Sequence, residues 1–342
     1  VAKPYKILVV APSWIGDMVM SQTLLKLLKA QYHDNCQIDV LVNDWARDVA
    51  MRMPEVTKVH LNPFKHGELA LGQRIALGRR LRHEHYDQAF VLPNSWKSAL
   101  IPFMAAIKRR TGFIGEVRYG LLNDFYRLDK QALPLMVDRF CALANHGQKP
   151  SSIPYPQFTI QPAAQHELVA NLQLDLTKPL VCLCPAAEYG PAKRWPTASF
   201  AKLSQLLIAA GFQVWLMGSA KDRAISQEIV AKATPQPDLI DLCGKTSLVA
   251  AFDLLALAKV VVTNDSGLMH VACAVGTKVV AIYGSSSPNF TPPLSDQARI
   301  LQLEGLSCAP CFARTCKFGH YNCLTGISEE LVVTHVRALS SD

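Results

Sequence analysis

Apolar residues along this chain fall into short continuous runs, separated by segments in which they recur every three or four positions. Strand-like runs occupy Lys6 to Val10, Ile38 to Val42, Val56 to Leu61 and Gln88 to Leu92, and helical periodicity fills intervals such as Met18 to Gln31 and Leu69 to Glu84. Between residues 149 and 173 the alternation lapses into a proline-rich stretch, Pro150 to Pro162, which reads as a linker followed by a short helical segment. It then resumes with strands at Leu180 to Cys184, Phe212 to Met217, Leu239 to Cys243, Val260 to Thr263 and Lys278 to Tyr283. Helical patterns at Thr197 to Ala210, Arg223 to Ala233, Leu248 to Ala258 and Leu268 to Val275 separate them.

Strands interleaved with helices predict parallel sheets covered on both faces and wound right-handedly. Two such runs in tandem predict an α/β chain of two domains, 1–165 and 166–342, with a cleft between them, a carboxy-terminal helix that can pack back on the first, and hinges near the linker and where that helix crosses. A chain of 342 residues that is half apolar also exceeds the usual size of one hydrophobic core. Ligands of open α/β sheets bind beyond the carboxyl ends of the strands, so the informative residues should stand just after each strand.

The segment from Ala258 to Ala272 fits that rule best. A β-branched run breaks into Asn264-Asp-Ser-Gly and a helical pattern begins, so the amides of Ser266, Gly267, Leu268 and Met269 can face an anion at the positive end of the helix dipole. An ordinary helix capped by Asp265 or Ser266 would use the same residues. After the first strand of the second half, the loop 185–196 carries adjacent cations: Lys193 suits a phosphate oxygen, and Arg194 suits the same anion or a structural ion pair. Asp222, after the next strand, is placed for ribose hydroxyls or as a helix cap. After the first strand of the chain, Asp17 lies in the opening turn of a helix, where it either caps amides or serves as a general base. Neither the G-x-G-x-x-G dinucleotide fingerprint nor a Walker P-loop is present in the sequence.

Charge adds an asymmetry. Residues 1–172 hold 21 lysines and arginines against 14 aspartates and glutamates, whereas 173–342 hold 14 against 13. The first half therefore faces the anionic partner, an acidic macromolecule or a membrane surface. No apolar run approaches the roughly 20 residues that span a bilayer, and no secretory h-region precedes the first strand, so the cytoplasm is the expected compartment. The segment Ala99 to Ile107, beside Lys108 to Arg110, reads either as a surface resting on headgroups or as a buried helix with a basic end.

Of ten cysteines, four cluster as Cys308, Cys311, Cys316 and Cys323, with His320 among them. Four thiolates suit a structural zinc, but the gaps match neither zinc-ribbon nor ferredoxin spacing, and disulfides and reduced thiols stay open beside it. None of these readings makes the cluster catalytic.

Six segments together carry a resemblance: Pro12-Ser-Trp-Ile-Gly-Asp17-Met, Leu92 to Ala99, Arg110 to Asp124, Gly190 to Pro196, Asn264 to His270 and Tyr283 to Pro293. They resemble the ADP-heptose:lipopolysaccharide heptosyltransferases of glycosyltransferase family 9, of the heptosyltransferase II type, over most of the chain. The resemblance implies a GT-B fold of two Rossmann-like domains, with the acceptor on the first and the nucleotide sugar on the second. It implies inverting transfer of L-glycero-D-manno-heptose from ADP-heptose to the first heptose of the inner core, on a heptosyl-Kdo2-lipid A acceptor at the inner face of the inner membrane. No cofactor, catalytic metal or nucleic acid is expected.

Carried over by residue, the same resemblance makes Asp17 the base and gives Lys193 and the amides after Asp265 the charge of the leaving ADP. It puts Asp265 near the donor sugar and diphosphate, Asp222 near the ribose, Arg194 on the donor side, and Lys97 and Arg118 on the acceptor side. His270 is read as packing its helix, with a phosphate donor as the alternative; Trp14 lines the cleft or packs at a domain edge. Three rivals remain to be weighed. A two-domain binding protein of the periplasmic kind needs an export signal, an epimerase of GT-B shape leaves the basic first half unexplained, and a dehydrogenase needs the missing glycine fingerprint.

Overall fold

The computed structural model describes residues 3–33, 35–64, 67–234 and 236–341. They form two compact units, Val1–Pro156 and Gln157–Asp342. The division lies inside the proline-rich linker, earlier than residue 165, because the chain joins the second unit at once. There Phe158 donates its amide to the Ala274 carbonyl at 2.8 Å and stacks on Phe252 at 5.1 Å between centroids.

The first unit runs β1 (Tyr5–Val10), α1 (Ile15–Gln31), β2 (Cys36–Val42), α2 (Arg47–Ala50), β3 (Val56–Leu61), α3 (Leu71–Leu81), β4 (Gln88–Val91), α4 (Trp96–Met104), β5 (Arg109–Phe113), β6 (Asp124–Tyr126) and α5 (Met136–Ala142). The second runs α6 (Pro162–Asn171), β7 (Leu180–Cys184), α7 (Thr197–Ala209), β8 (Gln213–Leu216), α8 (Arg223–Lys232), β9 (Leu239–Asp241), α9 (Leu248–Leu255), β10 (Val260–Asn264), α10 (Gly267–Ala274), β11 (Lys278–Tyr283), β12 (Ala298–Gln302), α11 (Asn322–Thr325) and α12 (Glu329–Ser341).

The strand orders are β3-β2-β1-β4-β5-β6 and β12-β11-β10-β7-β8-β9, parallel throughout. Both are the doubly wound order of a Rossmann sheet, in which the winding reverses between β1 and β4 in one unit and between β7 and β10 in the other. The central strands explain why: every residue of β7 and of β10 is buried, as expected where helices cover both faces of a sheet. Helix α1 is buried nearly all round its first half, from Met18 to Leu25, because it lies against α5 as well as the sheet. The carboxy-terminal helix α12 packs on α7, β10 and β11 of its own unit; its buried residues Val332, Val333, Val336 and Leu339 belong to the second core. No described helix is long and apolar enough to cross a membrane.

Periodicity missed β5, β6 and β12. Their sequences, Arg-Arg-Thr-Gly-Phe, Asp-Phe-Tyr and Ala-Arg-Ile-Leu-Gln, stand at or beside a sheet edge, where one flank stays wet and the apolar run that marks a central strand is not needed. The segment 99–107 is divided between core and surface. Ala99, Leu100, Ile101, Ala105 and Ile107 lie in the core, and Phe103 is the large apolar side chain that α4 leaves exposed there.

Candidate active site

The loops that follow β7 and β10 meet at the point where the second sheet reverses its winding. Asn264, the last residue of β10, is fully buried. Its Oδ1 accepts the Trp195 amide at 2.9 Å and its Nδ2 donates to the Pro185 carbonyl at 2.7 Å, so one side chain pins both ends of the loop 185–195. Trp195 anchors the far end. It is buried against Phe200, edge to face at 5.1 Å, with its indole N–H donating to the Ile327 carbonyl at 3.2 Å.

That loop delivers Lys193 in a single 3-10 turn. Its Nζ lies 2.5 Å from Oδ2 of Asp265, with side-chain exposures of 17 % and 4 %. Thr291 Oγ1 stands 3.4 and 3.5 Å from the two Asp265 oxygens. The Lys193 ammonium also sits 5.2 Å from the centre of the Tyr189 ring, and the Arg314 guanidinium is 5.1 Å from the same ring. Gly190 makes the approach possible: a Cβ there would fall 2.5 Å from the Arg314 carbonyl oxygen, which accepts the Ala192 amide at 3.0 Å.

Helix α10 begins immediately after Asp265. Ser266 is its N-cap in extended backbone with no side-chain cap bond. The Met269 amide donates to the Ser266 carbonyl at 3.2 Å, so of the four predicted amides it is turned into the helix's own first turn. Its side chain is fully buried, and Tyr283 Oη lies 3.4 Å from its sulfur. Gly267 and Leu268 remain as first-turn amides with no acceptor four residues back, two and three residues after the Asp265 that pairs with Lys193. His270 is buried one turn on, and burial pushes its imidazole down to about 4; the nearby Lys193 cation acts in the same direction and Asp265 against it. It is therefore neutral at pH 7, as a packing histidine should be.

Two donor-side predictions meet other demands. Arg194 Nε donates to the Ala187 carbonyl at 3.1 Å, bracing the loop from within. Asp222 closes a capping box: its Oδ2 accepts the Ser219 amide at 2.8 Å and the Ser219 hydroxyl at 2.7 Å. The cap that the sequence allowed is thus made, and the oxygen it uses is committed to Ser219.

In the first unit the winding reverses between β1 and β4. Asp17 occupies the first turn of α1 and is half-buried, while Trp14, the N-cap, is 48 % exposed. Lys97, in the first turn of α4, reaches the Glu68 carbonyl at 3.3 Å. Arg118 needs a correction, because it is fully buried and presents no charge to an acceptor. Its guanidinium donates to the carbonyls of Pro93 at 2.7 Å, Ser95 at 3.3 Å and Phe113 at 3.1 Å, and to Asn94 Oδ1 at 3.2 Å. Burial lowers it to about 10, with Glu116 opposing, so it stays a cation that ties the loop after β4 to the loop after β5.

Cys308, Cys311, Cys316 and Cys323 line one small cavity with Ser285 and His320, all as free thiols. Amides of Tyr321, Phe318, Gly319 and His320 turn toward the Cys316 sulfur and lower its thiol below the usual range. Among the described residues, the one group of three metal-ligating atoms within 4.8 Å is Asp39, His60 and Glu84. That group is a closed polar network: Tyr86 Oη donates to Asp39 at 2.5 Å, His60 Nε2 lies 2.8 Å from Tyr86 Oη, and Glu84 pairs with Lys58. The cysteine segment also props up the Lys193 loop, through the Arg314 carbonyl and through Tyr189 Oη, which donates to the Phe312 carbonyl at 2.6 Å.

Sequence reasoning missed Asn264, Thr291, Tyr189 and Arg314 as parts of this site. Asn264 and Thr291 stand inside segments that carry the resemblance and Tyr189 inside the loop 185–196, but their roles depend on what lies across the fold.

A family model described as glycosyltransferase family 9 (heptosyltransferase) matches residues 74–322. Lipopolysaccharide heptosyltransferase 2 of Salmonella typhimurium is 49 % identical over 87 % of this chain and 88 % of its own length. Lipooligosaccharide heptosyltransferase 2 of Haemophilus influenzae is 48 % identical over 87 % and 88 %. The solved structure of Escherichia coli ADP-heptose lps heptosyltransferase II superposes with a TM-score of 0.87 at 42 % identity, over 98 % of each chain.

Proposed function

Because this chain belongs to glycosyltransferase family 9, the heptosyltransferases, we propose that it moves L-glycero-D-manno-heptose from ADP-heptose onto the first heptose of the lipopolysaccharide inner core, with inversion at the anomeric carbon. The observation that carries the reading is the Lys193 ammonium, held 2.5 Å from Asp265 beside the opening turn of α10. Those groups supply positive charge where a diphosphate can lodge, at the reversal point that collects ligands in such sheets.

In the proposed step the acceptor hydroxyl oxygen bonds to the anomeric carbon as the bond from that carbon to the diphosphate oxygen breaks. The electron pair leaves on ADP, where Lys193 and the Gly267 and Leu268 amides stabilise it. The proton passes to Asp17, which the first turn of α1 offers at the reversal point of the acceptor unit. Asp265 holds Lys193 in place, and Thr291 holds Asp265. Lys97, which follows the loop after β4 that Arg118 holds by its carbonyls, serves the acceptor, heptosyl-Kdo2-lipid A, at the cytoplasmic face of the inner membrane. Asp222 keeps one oxygen for the ribose.

Charge neutralisation by a lysine and backbone amides asks for no divalent cation, so EDTA should leave the rate unchanged. The test is incubation with ADP-heptose and heptosyl-Kdo2-lipid A, read by mass spectrometry and ADP release. The lipid should gain one heptose for each ADP formed; ADP release with unchanged lipid would refute transfer.

A further inference from the structure

One edge of the first unit carries large apolar side chains in water, on a rigid support. Val117 is 91 % exposed, Tyr119 59 %, and Phe103 and Phe125 42 % each. Arg110 links Phe103 to the loop that carries Val117 and Tyr119. The Arg110 guanidinium lies 5.4 Å from the Phe103 ring centre and donates to the Leu121 carbonyl at 2.6 Å, while Tyr119 packs edge to face on Phe125 at 5.7 Å. Buried Arg118, tied to three carbonyls and Asn94, fixes the loop so that its neighbours Val117 and Tyr119 point outward on either side.

The charge of this edge is positive. Lys108 and Arg127 are exposed, and the nearby acids are occupied: Asp124 Oδ2 binds Arg109 and Thr111 at 2.7 Å each, and Glu116 accepts the Trp96 amide at 3.0 Å. Aromatic and aliphatic tips ringed by lysine and arginine match a bilayer interface, where amphipathic rings sit at headgroup level and cations meet anionic lipid.

We propose that the edge formed by Phe103, Val117, Tyr119 and Phe125, with the exposed Lys108 and Arg127, is the surface by which this protein docks on an anionic bilayer. The inference rests on the lipid-linked acceptor proposed above and adds where the protein meets the membrane. Val117 and Tyr119 enter the headgroup layer, and the cations stay with the phosphates.

The test is sedimentation with phosphatidylethanolamine vesicles, with and without phosphatidylglycerol and without acceptor. Wild type should pellet with the phosphatidylglycerol vesicles and be released in 1 M salt. Val117→Glu and Tyr119→Ser, both on exposed positions, should each weaken that binding about tenfold. Unchanged binding by both variants, or no binding by wild type, would overturn the proposal. A Val117→Glu chain that becomes monomeric by light scattering from a wild-type dimer would also overturn it, because the edge would then join two copies. Transfer to a deacylated, water-soluble acceptor keeps the two readings apart: the variants should retain it, and failure of wild type to perform it would strike the proposed function alone.

Discussion

At the scale of single residues, the site separates charge that acts from charge that holds. Asp17→Asn should lower kcat by about 10³-fold and leave ADP-heptose affinity nearly unchanged, since the proton acceptor works only in the transfer step. Lys193→Ala should lower kcat/KM by about 10²-fold and weaken ADP binding as well; calorimetry with ADP beside steady-state rates distinguishes the two patterns. His270 yields a stability prediction. Its imidazole is held near 4 in the folded chain against about 6.5 in the unfolded one, so between those values the unfolded chain binds the extra proton. Stability from this group is complete above about pH 6.5 and is lost as pH falls toward 4, by about 3 kcal/mol in all. Urea midpoints across that range should fall for wild type and fall less for His270→Asn. The residues themselves were readable in part. Asp17, Lys193 and Asp265 follow strands that periodicity locates, whereas the burial of Arg118 was not readable, because an arginine in a polar loop looks exposed until the carbonyls that surround it are known.

At the scale of elements, what matters is how a strand end and a loop are locked together. Asn264 satisfies one donor and one acceptor of the loop 185–195 from a fully buried position. Asn264→Ala would orphan both, at roughly 1–3 kcal/mol each. The variant should unfold at clearly lower urea, and its ADP affinity should fall further than global stability explains, because Lys193 rides on that loop; ADP calorimetry well below the unfolding midpoint separates the effects. Most elements were legible, down to identical bounds for β3, β7 and β11. Edge strands β5, β6 and β12 were not, since their short, partly charged sequences pair for backbone reasons that no hydrophobic period records.

At the scale of the whole molecule, two Rossmann-like units each carry their own core, so a ligand of one should protect that one first. Hydrogen exchange with ADP alone should slow at residues 185–196 and 264–270 and leave the sheet of the first unit little changed. Protection confined to the first unit would move the nucleotide site. The alternation of apolar runs and helical periods by itself determined the α/β class, the two-unit layout and the strand ends where chemistry collects, because burial on both faces of a parallel sheet must be written into consecutive side chains. Only the tertiary structure decided which charged groups meet partners across the fold: Arg118 went to the carbonyls of the loop after β4 and Lys193 went to Asp265. That choice depends on distances between segments far apart in the chain, which no local pattern encodes.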